Sequence, residues 1–89
     1  MELNEIKEKV IDIVFTLFKD QNIDKDLIEH VNLVSDMNME SIIFISLIVS
    51  IENEFQVIVP DEFLLMDYFR TIDDIVFTIV NRCISPNNA

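Results

Sequence analysis

The sequence predicts an all-α domain: a small four-helix bundle with three longer helices, one short third helix and a long first connection. Three observations carry this. Apolar residues recur at three- and four-residue spacing near both ends of the chain. A central apolar stretch, 41–55, is too long for an ordinary strand. Pro60-Asp61-Glu62 is a helix start, with a fixed φ at the entry and negative charge in the first turn.

In chain order, Leu3, Ile6, Val10, Ile13, Val14 and Leu17 form one stripe opposite Glu5, Glu8, Lys9 and Asp12, which predicts a first helix near 2–19. From Asp20 to Glu40 the pattern turns polar and irregular. Ile23, Leu27, Val31 and Leu33 are spaced anchors there, with a short turn expected over Leu27 to Val31. The segment Ile42 to Ile51 is rich in β-branched residues, yet a run from Ser41 to Phe55 makes about four helical turns, and Glu52 and Glu54 break any strand alternation. A short helix at about 61–67 follows. Thr71 is positioned to cap the last helix, with Asp73 and Asp74 in its first turn. Ile72, Ile75, Val76, Ile79 and Val80 give that helix a buried stripe running to about Cys83. Residues 1–84 therefore read as a single domain and 85–89 as a disordered tail.

With 89 residues, the chain holds one core but no cleft between lobes, so binding at a surface is expected. Seventeen acidic residues against six basic ones give a formal net charge of −11. That balance opposes nucleic acid and anionic membrane and favours partners with basic patches. A lone cysteine, Cys83, and a lone histidine, His30, cannot make an internal disulfide or a Cys/His zinc cluster. Nothing in their spacing joins them as nucleophile and base. The run Asp20 to Asp26 has alternating oxygen ligands, but Lys25 stands at the glycine position of a calcium loop and Val31 at its bidentate-glutamate position. The absence of glycine removes the phosphate-binding loop, the dinucleotide loop and the nucleophile elbow. No enzyme activity and no metal are expected. The start Met1-Glu2-Leu3-Asn4-Glu5 lacks the basic region of a secretory signal, and a cytoplasmic location follows as the expectation.

One hydroxyl stands out. In Asp36-Met37-Asn38-Met39-Glu40-Ser41-Ile42 an acidic residue precedes Ser41 and the long apolar stretch follows it. A serine there can be a plain N-cap. It also resembles the attachment site of acyl and peptidyl carrier proteins, whose serine bears a 4′-phosphopantetheine arm on a motif usually read Asp-Ser-Leu; here it reads Glu40-Ser41-Ile42. Val34 to Glu62 aligns with the family pattern without a gap, and the similarity extends more loosely to both ends.

The resemblance implies the same bundle, a covalent 4′-phosphopantetheine derived from coenzyme A on Ser41, and a phosphopantetheinyl transferase that installs it. A loading ligase and downstream biosynthetic enzymes then handle an acyl or aminoacyl thioester on a free-standing carrier, monomeric when free. Glu40, Ile42, Ile43, Ile45, Ser46 and Met66 are the implied partner-binding residues. Glu40, Asn38, Ile43 and Ser46 depart from the family pattern. Glu40 keeps the charge of the usual Asp on a longer side chain. Asn38 stands where many relatives have Gly, and asparagine tolerates the left-handed backbone. Ile43 and Ser46 lie two and five residues after the serine, where carriers of fatty-acid synthesis often have acidic residues. An apolar rim there favours partner recognition by packing and a specialised pathway of polyketide or nonribosomal peptide type. Ile43 is the expected exposed residue, and Phe44 the expected core residue. Met37, Met39 and Met66 are candidate adaptable contacts for the arm. Glu52, Glu54, Asp61 and Glu62 form an expected acidic cluster near the end of the second helix. The alternative is an acidic helical adaptor that binds a protein partner without a prosthetic group.

Overall fold

The computed structural model describes residues 2–86. Three α-helices form the bundle: α1 (Leu3–Leu17), α2 (Ser41–Phe55) and α3 (Ile72–Asn81). Short 3₁₀ turns fill the connections, at Lys19–Gln21 and Lys25–His30 before α2 and at Asp61–Phe63 and Met66–Tyr68 after it. The expected all-α bundle is the observed fold.

Each helix buries one stripe. Ile6, Val10 and Val14 of α1, with Phe18 just beyond it, meet Leu47, Ile48 and Ile51 of α2 and Ile72, Ile75, Val76 and Ile79 of α3. Two expected stripe members fall outside it. Leu3 and Val80 are exposed: they lie near the ends of their helices, where they line a cleft open to solvent with Val76 and Phe77. α3 begins as expected: Thr71 Oγ1 accepts the Asp74 N–H at 3.1 Å, which satisfies one of the orphan donors of the first turn. It stops at Asn81, where Arg82 and Cys83 N–H both donate to Thr78 O. Ile84 then pairs antiparallel with Ile58, through N–H···O bonds of 2.8 and 3.0 Å. Of the expected tail, residues 87–89 lie outside the described residues.

The long first connection is anchored differently from its apolar spacing. Leu33 is fully buried, and Ile23 and Val31 pack partly against the core. Leu27 is exposed while its neighbour Ile28 is buried. The expected short turn is a 3₁₀ stretch, Lys25–His30, that offers one side to the bundle, and Ile28 occupies that side. Asp24 caps this stretch by accepting the Asp26 N–H at 3.0 Å, and Lys25 pairs with Asp12, so the acidic run organises backbone and surface charge.

The expected short third helix, 61–67, is two 3₁₀ turns separated by Leu64 and by an extended Leu65 (φ −130°). One continuous α-helix needs a repeating apolar stripe. Here Phe63, Met66, Tyr68 and Phe69 must all reach the core side, and the break lets them do so.

Without glycine, the chain makes its left-handed turns with Asn22, Asn38 and Gln56, at φ 57°, 53° and 53°. Asn38 lies three residues before Ser41 and takes the conformation expected of it. Urea unfolding checks this role: Asn38→Val is expected to lose about 1–2 kcal/mol, since a β-branched residue clashes at positive φ, while Asn38→Gly stays within about 1 kcal/mol of the parent.

Candidate functional site

The turn before α2 is built from backbone polarity. Asn32 Oδ1 accepts the N–H groups of Val34 and Ser35, both at 2.9 Å, and Asp36 Oδ2 accepts the Asn32 N–H at 2.8 Å. This reciprocal arrangement has the logic of a capping box. Leu33 fastens the turn on both sides: its N–H donates to Arg70 O at 2.6 Å and its carbonyl accepts the Met39 N–H at 2.9 Å. Gln21 Nε2 adds a bond to Met37 O at 2.8 Å. The backbone leading into α2 is thus held from three directions before the serine is reached.

Ser41 is the first residue of α2, and Glu40 is its N-cap. The plain N-cap role that a serine here can take therefore does not apply: no side chain caps this helix, and among the described residues the Ser41 hydroxyl has no hydrogen-bond partner. Ser41 is exposed. The first helical bond runs from Phe44 N–H to Glu40 O at 2.9 Å, leaving the N–H groups of Ser41, Ile42 and Ile43 without an intrahelical acceptor. No acidic residue lies in that first turn, so the positive end of the helix dipole is not neutralised within it. An exposed, uncommitted hydroxyl beside free N–H groups fits a serine-linked phosphodiester, which needs an accessible oxygen and hydrogen-bond donors for its charge.

The sequence pattern of the family described as "phosphopantetheine attachment site" matches residues 12–78, three quarters of the chain. The chain belongs to this family. Its domains carry 4′-phosphopantetheine covalently, and they work with phosphopantetheinyl transferases and biosynthetic enzymes. A comparison with curated proteins finds no match.

Around Ser41, the expected partner residues divide by exposure. Glu40, Ile42 and Ile45 are exposed, Ile42 by 76% and Ile45 by 61%. Ile43, Ser46 and Met66 are half-buried, with Ile43 and Met66 packed against the core. The most outward isoleucine is thus Ile42 rather than Ile43. Phe44 sits on the core side as expected and meets Phe69 edge to face, with centroids 5.4 Å apart. Met37 and Met39 are buried and fill the core instead of the rim, because the turn fastened at Leu33 directs them inward. In the expected acidic cluster, Glu52 Oε2 accepts the Val59 N–H at 3.0 Å and Glu54 pairs with Lys9 at 3.5 Å, leaving Asp61 and Glu62 as exposed charges.

One residue of this surface escaped the reading from sequence. Val49 is exposed and continues the line of Ile42 and Ile45 along α2. The i, i+3, i+7 spacing that marks a buried stripe here marks a solvent-facing one. The signal available was that α2 is apolar on every side, so one apolar face had to remain uncovered.

Cys83, at the far end of the fold, is a contrasting nucleophile. Burial, with a smaller contribution from the Glu52 carboxylate, pushes its thiol up to about 11. A raised value keeps the thiol protonated until pH approaches about 11. Iodoacetamide at pH 8 is expected to alkylate Cys83 at least about tenfold more slowly in the folded protein than in the urea-unfolded chain, with the folded rate still climbing through pH 9–11.

Proposed function

We propose that this chain is a non-catalytic carrier that holds acyl or aminoacyl intermediates as thioesters on a 4′-phosphopantetheine arm attached to Ser41. The observation that carries the assignment to Ser41 is the exposed hydroxyl at the first position of α2, which like the backbone donors beside it has no partner among the described residues. In the modification, the serine oxygen would form the new bond to phosphorus as the coenzyme A pyrophosphate linkage breaks, adenosine 3′,5′-bisphosphate would leave, and the hydroxyl proton would pass to the transferase. Once attached, the arm supplies the thiol that holds cargo. The protein's own contribution is then positional. The fastened turn would fix where the arm is rooted, and the N–H groups of Ser41, Ile42 and Ile43 would supply hydrogen-bond donors for its phosphate.

The proposed partners are a phosphopantetheinyl transferase, a loading ligase and downstream enzymes of a specialised pathway of polyketide or nonribosomal peptide type. Support for that pathway is that Ile43 and Ser46 stand where acidic side chains would be expected, next to an outward α2 face made of Ile42, Ile45 and Val49. Glu40 is at the head of this face and a net charge of −11 surrounds it. A fitting partner presents an apolar depression with a basic rim: charge steers the encounter and packing supplies the discrimination. Glu40, Ile42, Ile43, Ile45, Ser46 and Met66 remain the proposed contact set, with Val49 added and Ile42 and Ile45 at its centre.

Intact mass after incubation with coenzyme A and a broad-specificity transferase tests the assignment. A gain of one arm is expected, abolished in Ser41→Ala; no gain in the parent, as for an adaptor without prosthetic group, or a gain that persists in Ser41→Ala, overturns it. The docking face has its own test. Ile45→Glu, at an exposed site, is expected to lower kcat/KM with the cognate loading ligase about tenfold, equivalent to about 1.4 kcal/mol, without lowering Tm. An unchanged kcat/KM removes Ile45 from the interface.

A further inference from the structure

Six side chains carry permanent positive charge, and four of them, Lys7, Lys9, Lys25 and Arg70, are in ion pairs with carboxylates. Arg82 is not, among the described residues, in a protein of net charge −11. Its guanidinium lies over three rings instead: Phe63 at 4.7 Å, Tyr68 at 5.4 Å and Phe77 at 5.4 Å. Phe63 and Tyr68 meet edge to face with centroids 5.3 Å apart. The Nε atom of Arg82 is buried and has no hydrogen-bond partner among the described residues, where the ring faces are its main compensation for lost water. A planar, weakly hydrated guanidinium suits such a site better than a lysine ammonium.

Two of these rings belong to the weakest part of the fold. The turns Asp61–Phe63 and Met66–Tyr68 are single 3₁₀ turns, separated by exposed Leu64 and Leu65. They are tied to the end of α3 by Arg82 and by Thr78 Oγ1, which donates to Tyr68 O at 3.0 Å. On their other side, Phe69 is fully buried against Phe44, in the first turn of α2. Arg70 O accepts the Leu33 N–H, and Leu33 in turn holds Met39, two residues before Ser41.

We infer that Arg82 is a positioning residue: its guanidinium gathers Phe63, Tyr68 and Phe77, holds residues 61–69 closed against α3, and through Phe69 and Phe44 steadies the turn that bears Ser41. The clamp is built from side chains of the polypeptide alone. Opening of 61–69 is therefore set from the end of α3.

Site-resolved amide exchange by NMR on the unmodified full chain tests this, comparing the parent with Arg82→Ala, Arg82→Lys and Phe77→Leu. The amides of Leu64, Tyr68 and Phe69 close the two turns, by bonds to Asp61 O, Leu65 O and Met66 O. Arg82→Ala is expected to speed their exchange about tenfold relative to Val10 and Val14 of α1, and to shift the Phe44 ring resonances. Arg82→Lys restores only part of the protection, and Phe77→Leu, at an exposed ring, gives a smaller change at the same amides. Unchanged exchange at these amides in Arg82→Ala overturns the inference, as does an equal acceleration at Val10 and Val14 or a Phe44 ring that does not move. If Arg82→Ala does not fold, Phe77→Leu decides: no acceleration there overturns the clamp.

Discussion

Leu33 is a buried apolar residue in the middle of a polar connection, and its two backbone groups bond in opposite directions, one to Arg70 O and one from the Met39 N–H. Burial makes these bonds matter. A backbone group withdrawn from water must find a partner, and here both partners belong to segments that flank the serine-bearing turn. The entry to α2 is thereby fixed to the segment that precedes α3. Without that fastening, the irregular stretch from Asp20 to Glu40 would be a tether of ordinary loop flexibility, and Ser41 would begin a helix with no defined approach.

The functional consequence is a division of labour within one helix. The inner side of α2 supplies Leu47, Ile48 and Ile51 to the core, and the outer side leaves Ile42, Ile45 and Val49 in water. Exposing three large apolar residues on one helical face is unfavourable for an isolated domain, and it is consistent with a surface that docks repeatedly on other proteins. The formal net charge of −11 sets this apolar face in a strongly acidic surround. Attachment chemistry, by contrast, asks very little of the domain: a reachable hydroxyl and donors for a phosphate.

Much of this was legible in the residues. The stripes of α1 and α3 follow from apolar spacing, the Thr71 cap from a hydroxyl followed by two aspartates, and the backbone of Asn38 from the tolerance of asparagine for positive φ. The place of Ser41 at the start of α2 was legible from its context, and the turn before it, centred on Asn32 and Asp36, was not. Short polar side chains engage whichever backbone donors lie near them, and that choice is made by the path of the loop. Leu27 and Ile28 illustrate the same difficulty at one-residue resolution. Both are apolar, both lie in one 3₁₀ stretch, and only the packing of that stretch against α1 and α3 decides which of them is buried.

The sequence by itself determined the class of fold, the position of each α-helix and the serine at the head of α2, because these depend on local periodicity, capping and a contiguous motif. Tertiary structure alone decided the rest. It broke the segment at 61–67 into two turns so that Phe63, Met66, Tyr68 and Phe69 could all face inward, and it turned Met37 and Met39 into the core. It also brought Arg82 over rings that lie 19, 14 and 5 positions earlier in the chain. The physical reason is common to all three: burial is a property of which surfaces meet, and residues distant in sequence compete for the same limited space inside a small core.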